Sequence, residues 1–395
     1  MNILYITPTN PLDNSSGASV RSAALWGALK LFGNVRTVVV QCSATAKLEP
    51  VGGESEANIS LVGFRSVYNG RLPWSLFVCL SCIMQRLNWG FPDSRQIRDI
   101  LEIPDVSYDI IVVRYLWIAC KFALWKIGPC YIDVDDSPKA RFETCVAPMY
   151  GNIKRIFARW MYLTWQKLIA RHSLGVWFSC WNDANDIMEY NKNAVYLPNV
   201  SAQPDLSSYK ISLQSDYILI VGWMGYEPNY QGTDRFLNVE WPLIRDKYPF
   251  IKVKIVGREA PEDFAKRWES IPGVELLGYV DDLSCLYASC CAVVTPIWAG
   301  GGTSVKVIEA VKYGCKVLAT PIAVRGLRDE QIRYMRIVVV SKAGGFVEVL
   351  EKWVEKPTAE RIAERKSILD VANDFNRVED FQKAVKTLIV GDGNV

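Results

Sequence analysis

The sequence predicts an α/β protein of two doubly wound domains, each a mostly parallel sheet covered by helices on both faces. Three observations predict it. Short apolar runs ending in turn residues alternate with segments of helical spacing. The alternation begins at residue 2 and begins again after a polar stretch, Pro198–Ser215, that holds two prolines. The chain has 395 residues, half of them hydrophobic, which is enough for two separate cores.

The elements run as follows. Asn2–Thr7 is an apolar strand ending in Thr7-Pro8-Thr9, and the polar loop Asn10–Ser19 leads to helical spacing over Val20–Leu31. Val35–Gln41 is the next strand, completing a βαβ opening. Asp109–Val113, Cys130–Val134 and Leu174–Ser179 read as buried strands, Asn182–Tyr190 as a short helix and Val195–Leu197 as a last strand. Residues 1–200 thus form an N-terminal domain and 201–215 a linker. A second domain spans 216–372, with strands Tyr217–Val221, Ile251–Val256, Val274–Leu277, Ala292–Thr295 and Lys316–Ala319. Its helices are expected at Asp234–Lys247, Leu283–Ser289, Ser304–Lys312, Gly344–Glu355 and Thr358–Val371. Residues 373–395, with a helix at Val378–Leu388, are expected to pack back on the first domain. The second domain shows no internal copy of the first. Open α/β sheets bind ligands at the carboxyl ends of their strands, so the expected site is the cleft between the domains.

Composition excludes several classes. A net charge of +3 gives no global attraction to nucleic acid. A single histidine, and eleven cysteines with one C-x-x-C (Cys79–Cys82), argue against a zinc site. The cysteines read as small buried hydrophobes in a reducing compartment. The amino terminus lacks a signal-peptide pattern and no apolar run reaches about 18 residues, so a cytoplasmic protein is expected.

The run Pro296-Ile297-Trp298-Ala299-Gly300-Gly301-Gly302-Thr303-Ser304-Val305-Lys306 carries the clearest chemistry. Glycines between a strand and a helix let backbone N–H groups approach a ligand, and the helix start adds free donors and a positive dipole end. Thr303 and Ser304 suit a cap or an oxygen ligand, and Lys306, in the first turn, wants a nearby anion. Glu309 stands among apolar neighbours; it suits a sugar diol, or it is a solvated residue beside Lys312. Asp133, Asp135 and Asp136 close a strand, where a carboxylate serves as general base, as a divalent-metal ligand, or simply as part of a turn. Ser16, Gly17 and Arg21 open the first helix, with Arg21 either reaching a phosphate or acceptor or standing exposed. His172 reads as structural or superficial. Gly151–Arg171 carries five basic residues and no acidic one among aromatics, which favours an anionic membrane surface over a core helix or a nucleic-acid patch. Leu72–Phe91, also aromatic, adds to that surface or lines an acceptor groove.

Gly300–Thr303 with the Glu309-Ala310 helix, Gly314, Val317 and Thr320 resembles the donor loop of the retaining glycosyltransferases of family 4 (group 1). These have the GT-B fold, two Rossmann-like domains facing each other across a cleft. Gly222–Asn229, Ile255–Arg258 and Gly278–Asp282 extend the resemblance, which is nearest to the bacterial surface-polysaccharide type with a Gly-Gly-Gly-Thr loop. The resemblance implies transfer of a sugar from a nucleotide-diphosphate sugar, such as a UDP- or GDP-sugar, to a hydroxyl of a carbohydrate or lipid-linked acceptor. It implies no resident metal or cofactor, and a place in polysaccharide or glycolipid synthesis, peripheral on the inner membrane face. It implies that Glu309 binds the donor ribose, that Gly300, Gly301, Gly302, Thr303 and Ser304 meet the diphosphate or sugar, and that Arg258, Tyr279 and Val280 lie near the nucleotide. On this reading Asp135 orients the acceptor and Lys306 serves the phosphates.

The chain departs from the family at three places. The acid eight positions before the helix glutamate is Gly301. The Arg and Lys after the first strand of the second domain are replaced by Trp223, Met224 and Tyr226, and Asp135 stands where many members have histidine before aspartate. An inverting relative with Asp135 as base, a sugar-nucleotide epimerase of the same shape and a non-catalytic sugar-nucleotide binder are the rival readings.

Overall fold

The computed structural model describes residues 1–13, 17–43, 58–65, 93–135, 137, 139, 143, 156, 159–160, 167, 170–201, 204, 217–301, 304–372, 374–375 and 377–390. The Cys79–Cys82 pair, Leu72–Phe91, most of Gly151–Arg171 and most of the 201–215 stretch lie outside these residues. The chain divides into two compact units, Met1–Pro198 with Glu379–Val395, and Asn199–Val378.

The first unit holds a seven-stranded sheet. Its strands are β1 (Asn2–Thr7), β2 (Asn34–Ser43), β3 (Ile59–Arg65), β4 (Ile110–Arg114), β5 (Cys130–Asp135), β6 (Gly175–Phe178) and β7 (Ala194–Tyr196). The order is β3-β2-β1-β4-β5-β6-β7, every pairing parallel. Parallel strands are covered on both faces, and accordingly β4 and β6 are buried at every residue. The sequence reading missed β3, an edge strand interrupted by Gly63. It also missed the helix Ser94–Ile100, although Asp93 and Gln96 form a reciprocal capping box there. The helix Val378–Val390 places the buried Phe381 ring 5.6 Å from the Arg21 guanidinium.

The second unit holds β8 (Tyr217–Val221), β9 (Lys252–Val256), β10 (Val274–Gly278), β11 (Ala292–Thr295), β12 (Val317–Ala319) and β13 (Val338–Val339), again all parallel. Their order is β10-β9-β8-β11-β12-β13. Both sheets are therefore wound 3-2-1-4-5-6, the first with a seventh strand beyond, and no sequence repeat announces it. The helix expected over Asp234–Lys247 is in fact two, Glu227–Val239 and Trp241–Lys247. Pro228 and Pro242 each stand in a first turn, where the missing N–H costs nothing. Between them the buried Glu240 accepts hydrogen bonds from the Gly344 and Val347 amides at 2.6 and 3.3 Å, tying the break to the helix Gly345–Val354.

Arg365, on the helix Thr358–Ala372, is fully buried and has no carboxylate partner among the described residues. Its guanidinium donates to the carbonyls of Tyr287 and Tyr313 at 2.9 and 3.0 Å, Gly314 at 3.1 Å, Ala288 at 3.2 Å and Cys290 at 3.3 Å. It thereby ties together the two stretches of chain that lead into β11 and β12. Leaving buried carbonyls unpaired costs about 1–3 kcal/mol each before relaxation. Arg365→Met is therefore expected to lower the melting temperature of the second unit by at least about 5 °C, read by calorimetry. An unchanged melting temperature would show that this hub is dispensable.

Candidate functional site

In each sheet the first and fourth strands are neighbours, β1 beside β4 and β8 beside β11. The crossovers leave these strands in opposite directions, so the carboxyl edge is left uncovered there.

In the second unit, the loops that follow β8, β9 and β10 are stitched together at this edge. The Gly222 amide donates to the Val256 carbonyl, Met224 N to Arg258 O, and Gly257 N to Gly278 O, all within 3.0 Å. Gly257 has φ +153°, and a Cβ there would lie 1.7 Å from the Gly222 carbonyl, so only glycine permits this approach. Beyond β11 the chain runs through Pro296 to Gly300, which has φ +126° and likewise favours glycine. The Thr320 hydroxyl, after β12, donates to the Ile297 carbonyl and pins this turn.

Lys306 begins the helix Val305–Lys312 and reaches back to the β8 loop. Its ammonium donates to Asn229 Oδ1 at 2.9 Å, and a Cβ on Gly222 would lie 2.5 Å from Nζ. Asn229 in turn donates to the Trp223 carbonyl at 2.8 Å. Lys306 forms no ion pair among the described residues, and burial pulls its pKa down to about 8, against the opposing pull of Glu309. Glu309 is half-buried and accepts from the Tyr287 hydroxyl at 3.1 Å. Burial raises its pKa, with the Tyr287 bond and Lys306 working against the rise. The solvated Glu309–Lys312 alternative is not realised, because Lys312 is buried and donates to the Ser201 carbonyl. Ser304 occupies the N-cap position, but its side chain makes no capping bond. Arg258 and Tyr279 are exposed at the ends of β9 and β10, with the guanidinium 6.0 Å from the ring centroid, and Val280 packs partly into the core. Gly300 and Gly301 belong to the turn; Gly302 and Thr303 lie outside the described residues.

The corresponding edge of the first unit is closed by charge. Arg21 meets Asp133 through both carboxylate oxygens, Nη2 to Oδ1 at 2.6 Å and Nε to Oδ2 at 2.9 Å. Arg114, at the end of β4, donates to Asp133 Oδ2 at 3.0 Å and to Asp135 Oδ2 at 2.5 Å. Arg114 also donates to Ser22 Oγ at 2.8 Å, and Arg21 to the Leu197 carbonyl at 3.0 Å. Two cations and two carboxylates, all buried, thus balance. Arg21 is therefore neither an exposed residue nor a free phosphate ligand, and Asp133 is an internal counter-ion rather than an open cleft carboxylate. Asp135 is almost as enclosed. A bulge after Asp133 and a left-handed backbone at Asp135 (φ +57°) turn both carboxylates onto Arg114. Gly17 begins the helix Gly17–Lys30 and is exposed; Ser16 and Asp136 lie outside the described residues. The sequence reading missed Arg114 altogether. Its signal was a lone arginine closing the apolar run Ile110–Val113.

His172 stacks on Trp125, ring centroids 5.5 Å apart, as a structural or superficial residue would. No group of three or more His, Cys, Asp or Glu among the described residues is placed to hold a metal ion. None of their helices is long and apolar enough to cross a membrane.

Residues 215–356 match the family described as glycosyl transferases group 1. No curated protein matches the chain significantly. Among solved structures the chain is similar to a trehalose-6-phosphate synthase studied for glycosyl transfer with retention (13% identity, TM-score 0.63, covering 98% of each chain). It is also similar to Alr3699/HepE of Anabaena, solved with UDP and glucose (11% identity, TM-score 0.61, covering 98% of this chain and 99% of that one). A third is WaaG, a glycosyltransferase involved in lipopolysaccharide biosynthesis (13% identity, TM-score 0.62, covering 99% and 100%). The class these define is a two-domain GT-B protein. The family match falls within the second unit, and the candidate site lies at the carboxyl edge of that unit's sheet.

Burial opposes the ionisation of Asp133, but Arg21 and Arg114 outweigh it and hold its pKa below the ordinary 3.8. A depressed carboxylate pKa contributes stability that is present above the unfolded value and is lost as pH falls through the folded one. Stability of the first unit is therefore expected to drop as pH falls below about 4. Asp133→Asn, which leaves two buried arginines with Asp135 as their one carboxylate among the described residues, is expected to cost about 3–5 kcal/mol at pH 7 and to flatten that acid dependence. Urea unfolding at pH 7 and pH 3.5 checks both.

Proposed function

We propose that the protein transfers a sugar from a nucleotide-diphosphate sugar to an acceptor hydroxyl, with net retention at the anomeric carbon. The observation that carries this reading is Lys306. It is a cation at the switch point of a parallel sheet, held by a neutral amide, beside a glycine turn and at the start of a helix. Diphosphate is the ligand that this combination suits.

In this reading the Gly300, Gly301, Gly302 and Thr303 turn, Ser304 and the first helical amides hold the diphosphate, with Lys306 as its counter-charge. Glu309, already oriented by Tyr287, takes the ribose hydroxyls. Arg258, Tyr279 and Val280 border the nucleoside. The bond from the anomeric carbon to the diphosphate oxygen breaks, and its electron pair leaves with the diphosphate. The acceptor oxygen bonds to the same carbon, and its proton passes to the departing phosphate oxygen. Lys306 and the amides stabilise the charge growing on that oxygen, the role of preorganised donors. Asp135 has no base role in this scheme; with Asp133 it holds the arginine pair. Retention accords with the description of the similar synthase. A carbohydrate or lipid-linked acceptor of surface-polysaccharide synthesis accords with the donor-loop resemblance and with the similar lipopolysaccharide enzyme. We assign Gly151–Arg171, five basic residues and no acid, to contact with an anionic membrane surface.

An ammonium with a pKa of about 8 should bind diphosphate only while protonated. The affinity for UDP or GDP is therefore expected to fall about tenfold for each pH unit above 8, and to be weaker and flat with pH in Lys306→Met. Calorimetric titration between pH 6.5 and 9.5 measures this, and a wild-type affinity independent of pH would refute the assignment of Lys306. Glu309→Gln is expected to weaken nucleotide binding by about tenfold or more through loss of charged hydrogen bonds to the ribose. The same titrations test it.

A further inference from the structure

The loop after β8 carries a second feature that the phosphate chemistry does not use. Trp223 is 47% exposed, yet it is fixed from several sides. Its indole Nε1 donates to Glu259 Oε2 at 2.7 Å. The ring edge rests on Gly225, where a Cβ would lie 2.7 Å from Nε1. Its carbonyl accepts from Asn229, the residue that also holds Lys306. The Tyr226 ring lies nearly parallel to it, the planes 12° apart and the centroids 6.5 Å apart. The Tyr226 hydroxyl stands 3.5 Å from where a side chain on Gly300 would begin, at the glycine turn.

A large aromatic that stays half in water while anchored by a carboxylate, a glycine seat and a neighbouring ring is held ready for contact. An aromatic face attracts polarised C–H groups, and the C–H face of a pyranose presents such groups while its hydroxyls point outward. Gly301 stands where the resemblance places an acid, so that position offers no side chain for sugar hydroxyls. We infer that Trp223 and Tyr226 form a stacking platform for the sugar ring of the donor, and that this platform selects sugars with an unbroken apolar face. The inference rests on the reading of the second unit as a nucleotide-diphosphate-sugar site. Within it, the platform lies next to the proposed diphosphate turn, and Asn229 joins it to the phosphate-binding ammonium. Asn229 is a positioning residue for both.

The test compares UDP and GDP with UDP-glucose, UDP-N-acetylglucosamine and GDP-mannose by calorimetry on the full chain. The wild type is expected to bind at least one sugar nucleotide more tightly than its parent nucleotide. Trp223→Ala should lose about tenfold in affinity for that sugar nucleotide while its UDP or GDP affinity stays within twofold, which also shows that the variant folds. Trp223→Phe should recover most of the loss, since it keeps a ring without the indole N–H. Equal losses for nucleotide and sugar nucleotide would overturn the platform and make Trp223 part of the phosphate or nucleoside contact. No loss for either would also overturn it, as would a wild type in which no sugar nucleotide exceeds its nucleotide. A wild type that binds neither UDP nor GDP would instead refute the nucleotide reading of the site itself.

Discussion

The molecule depends first on the winding of its parallel sheets. A parallel strand cannot return by a hairpin, so each connection crosses a face of the sheet and every strand ends at the same edge. In the order 3-2-1-4-5-6 the crossovers depart in opposite directions between the first and fourth strands, and a gap opens at that edge. Both units contain it. Their chemistry diverges through the side chains that the adjoining loops deliver into it.

In the first unit the gap is filled and neutral. Arg21 and Arg114 face Asp133 and Asp135, and the remaining guanidinium hydrogens go to Ser22 and to main-chain carbonyls. Such a network has no charge left over for a ligand. In the second unit the gap receives one ammonium, whose hydrogen-bond partner is an uncharged amide. Burial works against the charged form and pulls the Lys306 pKa down to about 8 from its ordinary 10.5, with Glu309 pulling the other way. An anion bound there would restore the charge balance. The same geometry has thus been used once to brace a sheet and once to leave a cation in want of a partner.

Much of this was legible in the sequence, and the limits have physical causes. Apolar runs such as Ile110–Val113 and Ala292–Thr295 announced buried parallel strands because both faces must be covered. The glycine turn showed itself because a left-handed backbone at Gly300 needs that residue. Asp133 and Asp135 were misjudged because alternation places two carboxylates but does not reveal what faces them. Their partners come from residues 21 and 114, brought near only by the adjacency of β1 and β4. Proline misled the reading of Asp234–Lys247. Taken as part of one long helix, Pro242 is an interruption; in the structure it starts a second helix, and Glu240 is freed to cap a third. Asn229 closed a stretch that carries the resemblance, but its own task gave no signal until Lys306 is seen beside it.

The departures from the family pattern can be weighed together as charge. The pattern places an arginine and a lysine after the first strand of the donor domain and an acid in the glycine turn, a sum of one positive charge. This chain has Trp223, Met224 and Tyr226 at the first place and Gly301 at the second, and its ammonium comes from Lys306. The sum is again one positive charge, reached with fewer ions. Removing the acid matters as much as keeping a cation, because a carboxylate beside a diphosphate is tolerable only when further cations offset it. Without the acid, hydroxyl recognition by a carboxylate at that position of the turn is gone too, and the two aromatic rings stand beside it. On the proposed reading the glycine and the rings act together, since a turn without a carboxylate needs fewer cations to offset it and leaves room for the apolar surface of Trp223 and Tyr226.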